Sequence, residues 1–174
     1  DAGDGVGIRL VECKGCTVSE TAVHDVSGGA SAFDNCGDAY GIWAEHGTNL
    51  AILDCSIAEI LGGWDNWDQP DGAGASTGIS IGDSTGVQIA GCSVQAVDAA
   101  ASWGVPAGDA SATGVAIGDS GPVSLERSLI WDVEAGCDGL NAALATGLLL
   151  DNVVGIEVSS LTIANVRGAC DDWE

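Results

Sequence analysis

The sequence predicts an all-β protein, a solenoid of stacked parallel strands, and two observations carry that prediction. The first is a repeat, because five similar units begin at glycines spaced 34, 37, 36 and 33 residues apart, namely Gly7, Gly41, Gly78, Gly114 and Gly147. The second is the alternation of apolar with other residues inside each unit, which is typical of short strands that bury one face. A period of this length is typical of solenoids. We expect one domain, residues 1–174, of five coils of 33–37 residues starting near residues 7, 41, 78, 114 and 147.

Each unit is predicted to contain three short strands. The inward residues of the third unit are Ile79, Ile81, Val87, Ile89, Cys92, Val94 and Val97, and those of the fifth are Leu148, Leu150, Val154, Ile156, Leu161, Ile163 and Val166. No unit can bury such a set alone, but stacked units can, because each strand then pairs in parallel with its equivalents at about 4.8 Å per layer. The loops at 27–40, 61–77, 98–113 and 134–146 then lie on one side. A β-sandwich would not require the same positions to recur in every unit.

The units from residue 7 to residue 166 resemble the right-handed parallel β-helix repeats of the pectate-lyase-like superfamily. The resemblance implies the fold but little about activity, because this scaffold hosts lyases, hydrolases, epimerases, phage spikes, adhesins and structural filaments. The sequence lacks the Asn-Thr-Asp, Gly-His-Gly and Arg-Ile-Lys motifs of polygalacturonase-type hydrolases, and the clustered Arg and Lys of pectate lyases. The two histidines, His24 and His46, fall in different units and suggest no triad. We predict no catalytic and no cofactor-binding residue.

The composition is strongly acidic. There are 26 Asp and Glu against four Lys and Arg, which gives a formal net charge of -22. Such a surface repels phosphate backbones, anionic membranes and anionic polysaccharides. Cations, neutral glycans and other protein chains remain as partners. The acidity fits both simple solubility and a high-salt habitat. No apolar run approaches the roughly 20 residues that span a bilayer.

The location of the protein is predicted from its first residues and its cysteines. The sequence contains no methionine and begins Asp1-Ala2-Gly3-Asp4, without the basic and apolar segments of a signal peptide. We therefore expect a processed mature protein or a segment of a longer one. Seven cysteines favour an oxidising compartment. The predicted location is extracellular or at the cell surface.

Two pairs of cysteines occupy equivalent positions in adjacent units. The layer spacing places the α-carbons of Cys137 and Cys170, and those of Cys55 and Cys92, about 5 Å apart, within the range for a disulfide. We predict a disulfide between Cys137 and Cys170. Cys55 and Cys92 form either a second disulfide or a pair of buried, reduced thiols. The other cysteines are Cys13, Cys16 and Cys36.

Cys13 and Cys16 form a Cys-x-x-Cys pair, which is half of a zinc or redox motif. Cys16 falls on an inward strand position, and the sequence contains no second Cys-x-x-Cys. The pair therefore does not predict a metal site.

The turn after the first strand is predicted to stack Glu12, His46, Asp83, Asp119 and Asn152 in one column. Asp83 and Asp119, in neighbouring units, would repel each other unless a cation lies between them, so this pair is a candidate calcium site. The alternative is that the two carboxylates turn apart into solvent. Further carboxylates in the loops are Asp65, Asp68, Asp71 and Asp109.

Four tryptophans are candidates for contact with a glycan or with another subunit. Trp64, Trp67 and Trp103 fall in neighbouring loops, and Trp43 points outward from the first strand of the second unit. Exposed rings beside Asp and Asn suit a sugar-binding face. The alternative is that the indoles cover the loop face or fill a subunit contact.

The ends of the stack decide the predicted function. Only six residues precede the first unit and eight follow the last, so neither end is predicted to carry a cap. The chain is then either a fragment or a subunit whose ends meet copies of itself, and such a contact propagates as a filament. We expect a non-enzymatic structural module, a filament or adhesive subunit. The alternative is a carbohydrate-active enzyme or glycan-binding module that uses the loop face.

Overall fold

The computed structural model describes residues 3–30, 36–63, 73–99, 111–136 and 143–168. Over these ranges the chain forms 15 strands and no helix. The strands build three parallel sheets of five strands each. Each repeat unit gives one strand to each sheet, and we call its three strands a rung, numbered 1 to 5 along the chain. The predicted all-β solenoid of stacked units is confirmed.

The strands follow one another in chain order within every sheet, parallel and in register. The first sheet contains β1 (Gly5–Val11), β4 (Ala39–Glu45), β7 (Ser76–Gly82), β10 (Ala112–Gly118) and β13 (Ala145–Asp151). The second contains β2 (Thr17–Ser19), β5 (Ala51–Leu53), β8 (Val87–Ala90), β11 (Val123–Glu126) and β14 (Ile156–Ser159). The third contains β3 (Ala22–Ser27), β6 (Ser56–Leu61), β9 (Ser93–Asp98), β12 (Leu129–Glu134) and β15 (Thr162–Arg167).

The core lies between the three sheets and is made of inward columns, each with one residue from every rung. Ile42, Ile79 and Val115 form part of one such column in the first sheet, and all three are buried. Rungs 2 to 4 are covered by a rung on each side, so their inward residues lose nearly all contact with water. This burial is the main favourable term for the stack.

One inward position of the fifth rung was predicted wrongly. The second strand of that rung begins at Ile156, which pairs with Val123, and its next inward residue is Val158, which pairs with Leu125. Val154 lies before this strand and is 73% exposed. The apolar Val154 suggested a strand start two residues too early, because it stands at a turn position that holds Lys14, Thr48, Thr85 and Gly121 on the other rungs.

A left-handed kink, which we call the bulge position, interrupts the third strand of every rung. The residue at this position is skipped by the ladder pairing, as Asp25 is between His24 and Val26 in β3. It has a left-handed backbone, with φ between 49° and 59°, at Asp25, Glu59, Ala96, Asp132 and Asn165. This explains why two apolar residues three positions apart both face the core, although strict alternation would place them on opposite faces.

The glycine that opens each unit faces the core. A Cβ at Gly78 would overlap the Val94 side chain of the same rung and lie 2.6 Å from the Gly114 carbonyl oxygen. Gly41 and Gly114 are equally enclosed. The recurring glycine therefore allows the first strand to approach the third closely.

Each loop connects the third sheet to the first, so the loops leave the stack at one corner, as predicted. Their described bases are tied by backbone hydrogen bonds between glycines: Gly29 donates to Gly3, Gly37 to Gly29 and Gly63 to Gly37, each at 2.9 Å. Most residues of the loops lie outside the described ranges. The structure contains no helix, in the ranges it describes, with the length and apolar character needed to cross a membrane.

Candidate functional site

The carboxylates of the candidate calcium site stand in one column of left-handed turn residues. These residues are Glu12, His46, Asp83, Asp119 and Asn152, with φ of 53°, 53°, 47°, 44° and 51°. The backbone N–H of Asp83 donates to the Gly118 carbonyl next to Asp119, so the two residues are stacked on adjacent rungs. Asp and Asn tolerate this backbone conformation better than most residues, which accounts for their recurrence here.

Each of the two aspartates has a partner on its far side. The Asn152 amide donates to Asp119 at 2.5 Å, and His46 Nδ1 lies 3.9 Å from Asp83 Oδ2. The Asp83 side chain is 60% exposed. These contacts fit the alternative of two carboxylates that turn apart into solvent. Calcium at Asp83 and Asp119 stays a prediction.

Cys55 and Cys92 are adjacent in the stack but are both free, so the disulfide predicted as one alternative for this pair is not formed. The thiol of Cys55 donates to the Leu53 carbonyl at 3.2 Å, and that of Cys92 donates to the Ala90 carbonyl at 3.5 Å. In-register residues keep their Cβ atoms roughly one layer spacing apart, about 4.8 Å, which exceeds the roughly 3.5–4.5 Å of a disulfide.

The two cysteines instead fill a corner position that holds a small hydrogen-bond donor on rungs 1 to 4 and Leu161 on rung 5. On other rungs the same position holds Thr21, which donates to the Ser19 carbonyl at 2.8 Å, and Ser128, which donates to the Glu126 carbonyl at 2.9 Å. Burial raises the pKa of the Cys92 thiol to about 11, so it stays protonated and able to donate. The sequence carried this signal, because Thr, Cys, Cys and Ser recur at one position.

The remaining cysteines contribute no metal site in the described ranges. Cys13 and Cys16 are free and partly exposed, and Cys36 is free and buried. Burial and the neighbouring Cys16 raise the pKa of Cys13 to about 11, which disfavours the thiolate that a metal would require. Cys137 and Cys170, the predicted disulfide, lie outside the described residues.

The indole of Trp43 is engaged by neighbours in the chain. The guanidinium carbon of Arg9 lies 4.4 Å from the ring centroid, and the ring of Tyr40 is stacked at 5.2 Å. The Tyr40 hydroxyl donates to Asp38 at 3.1 Å; burial and the Asp38 carboxylate raise the pKa of Tyr40 to about 12, so the hydroxyl keeps its proton. A contact of Trp43 with a glycan or with another subunit stays a prediction. Trp64, Trp67 and Trp103 lie outside the described residues.

The ionised carboxylate of Asp98 destabilises the folded state. Asp98 pairs in register with Glu134, and burial, Glu134 and Asp132 raise its pKa. A raised pKa means that ionisation of Asp98 costs stability, and this cost appears as the pH rises through the carboxyl range. We expect Asp98→Asn to stabilise the protein at pH 7 by about 0.5 kcal/mol, the usual scale for like charges on neighbouring strands.

Thermal unfolding of both proteins at pH 7 and near pH 3 checks this prediction. The difference between Asp98→Asn and the unmodified protein should shrink at about pH 3, where Asp98 is itself protonated. An Asp98→Asn protein that is less stable at pH 7 would contradict it.

One cluster was missed by sequence reasoning. His24 Nδ1 lies 2.7 Å from Asp25 Oδ2, and Glu59 stands beside Asp25 on the next rung. The three side chains are exposed, and their donor atoms all lie within 4.8 Å of one another. No other His, Cys, Asp or Glu group in the described part of the chain brings three donors this close. The signal was present, since Asp25 and Glu59 hold the same bulge position 34 residues apart.

Rung 5, the last rung of the described residues, exposes residues that are core residues on every inner rung. Val158 is 44% exposed, whereas Leu125, its partner on rung 4, is fully buried. Leu150, Ile156 and Ile163 are also exposed, although they continue buried columns. We call these four side chains the rung-5 face, together with the outer edges of β13, β14 and β15, which pair with no further strand among the described residues.

Comparisons with known proteins give no relative from which a role could be transferred. Neither the models of known protein families nor the curated proteins contain a match to this chain.

Proposed function

We propose that this chain is a structural module, extracellular or on a cell surface, that stacks end to end with copies of itself. The observation that carries the proposal is the rung-5 face, where Leu150, Ile156, Val158 and Ile163 stand exposed in columns that are buried on inner rungs. Exposed strand edges beside apolar side chains favour pairing with another strand. A further rung would fit this face, because each column of inward residues already continues from one rung to the next.

Rung 1 of a second copy has the matching shape. Its first, second and third strands are β1, β2 and β3, the same three elements that every rung presents to the one before it. Its inward residues Ile8, Leu10 and Val18 are only partly buried, so they also gain from being covered. Rung 5 followed by rung 1 of the next copy continues all three ladders with the same layer spacing.

The polar columns favour the same junction. At three of the four left-handed positions of a rung, rung 1 carries the carboxylates Glu12, Glu20 and Asp25, whereas rung 5 carries the neutral residues Asn152, Ser160 and Asn165. Stacking rung 5 on rung 1 therefore places no like charges together at these positions. It also places an amide or hydroxyl donor beside each carboxylate, as Asn152 already is beside Asp119.

The resemblance to right-handed pectate-lyase-like solenoids is part of this proposal. Crossovers between parallel strands of one sheet are overwhelmingly right-handed, because the strand twist favours that hand. The extracellular setting is supported by the predicted disulfide between Cys137 and Cys170, since the other five of the seven cysteines are free. An enzymatic role gains no support from the described residues, and a glycan-binding role depends on Trp64, Trp67 and Trp103.

Electron microscopy of the native, concentrated protein tests end-to-end stacking. We expect filaments with an axial repeat of about 24 Å, which is five layers at the strand spacing. That repeat distinguishes ordered stacking from amyloid, which repeats at a single layer. Single particles at every concentration and salt level would overturn the proposal.

A further inference from the structure

We propose that His24, Asp25 and Glu59 form a binding site for one divalent first-row transition metal ion, with Zn²⁺ as its probe. The site is separate from the rung-5 face and does not rest on the proposed stacking. It uses one imidazole nitrogen and two carboxylate oxygens, a donor set that suits zinc with water as the fourth ligand.

The backbone places the three donors together. Asp25 and Glu59 are the bulged residues of β3 and β6, each with φ of 57°, so their side chains project from equivalent points on adjacent rungs. His24 precedes Asp25, and its neighbour on rung 2 is the small Ala58. The imidazole therefore has room to turn toward Glu59.

The distances suit chelation. The donor atoms lie within 4.8 Å of one another, and tetrahedral zinc requires separations of about 3.4 Å. All three side chains are exposed, so rotation of their terminal bonds closes this gap without moving the backbone.

The electrostatics favour a cation here. His24 Nδ1 lies 2.7 Å from Asp25 Oδ2, and the carboxylate of Glu59 is the third donor within 4.8 Å. Two carboxylates therefore face each other here with one imidazole between adjacent rungs. Neither β3 nor β6 contains Lys or Arg, and the residue beyond Glu59 in this column is Ala96. A divalent ion would satisfy both carboxylates at once.

The test is a Zn²⁺ titration of the metal-free, full chain, followed through the imidazole NMR signals of its only two histidines. We expect the signals of His24 to shift and those of His46 to stay. His46 is a matched control, because it also faces a carboxylate, Asp83 at 3.9 Å, but among the described residues no third donor atom joins them within 4.8 Å. Calorimetry should show an affinity at least about tenfold lower for His24→Ala and Glu59→Gln, and no change for His46→Ala.

Zn²⁺ binding by the thiols of Cys13 and Cys16 is tested by repeating the titration on a variant that carries both Cys13→Ser and Cys16→Ser. The shift of the His24 signals should be the same in this variant. Zn²⁺ binding that leaves the His24 signals in place would overturn the proposal. So would Ca²⁺ binding at Asp25 and Glu59 with an affinity equal to that of Zn²⁺, since Ca²⁺ prefers oxygen donors alone. Circular dichroism of each variant verifies the fold, which these exposed substitutions should not change.

Discussion

Replacing Gly78 with alanine should destabilise the protein by about 1–3 kcal/mol, the usual cost of overpacking a core. The added methyl group would overlap Val94 and lie 2.6 Å from the Gly114 carbonyl oxygen. Neither neighbour can move freely, since Val94 is buried and Gly114 belongs to the ladder of the next rung. Rung 3 is central, so the first and third sheets would have to separate in the middle of the stack.

Chemical denaturation and thermal unfolding measure this cost. The matched control is Gly82→Ala in the same strand, because a Cβ at Gly82 would meet only Glu45 Cγ at 4.0 Å. We expect Gly82→Ala to change the stability by less than about 0.5 kcal/mol. Equal stabilities for the two variants would show that the first strand does not approach the third as closely as described.

Val158→Asp should abolish end-to-end stacking while leaving the subunit folded. Val158 is 44% exposed in the free subunit, so a carboxylate is tolerated there. In the proposed junction it would be covered by rung 1 of the next copy, and burying an unpaired carboxylate costs several kcal/mol. At about 1.4 kcal/mol per factor of ten, the association constant should fall by about a hundredfold or more.

Val154→Asp is the matched control on the same rung. Val154 occupies a turn position whose equivalents on rungs 2 and 3, Thr48 and Thr85, stay exposed although a further rung covers them. The same change of charge should therefore leave stacking intact. Sedimentation velocity over a range of protein concentrations compares the variants with the unmodified chain. If the Val158→Asp protein stacks with the same affinity as the unmodified chain, the rung-5 face is not the junction.

The salt dependence of end-to-end stacking is a second test of the same junction. Copies with a net charge of -22 repel each other, and this repulsion is screened at a Debye length of about 8 Å in physiological salt and about 3 Å at 1 M. The apolar contact of the rung-5 face does not weaken with added salt. Stacking should therefore become stronger as the salt concentration rises.

The sequence by itself determined the solenoid. The repeat placed Gly7, Gly41, Gly78, Gly114 and Gly147 on successive rungs, and alternating apolar residues assigned most of the inward columns, since burial on one face imposes a period of two. The error at Val154 shows the limit of such patterns, because an apolar residue marks a core position only when its rung register is known.

Only the tertiary structure decided what the recurring positions do. It shows that the opening glycines allow the first strand to approach the third, and that Cys55 and Cys92 are corner donors rather than a disulfide. It also brings His24 and Glu59 together from positions 35 residues apart in the chain. The physical reason is that contacts across rungs depend on where left-handed residues and bulges turn the backbone, which hydropathy does not encode.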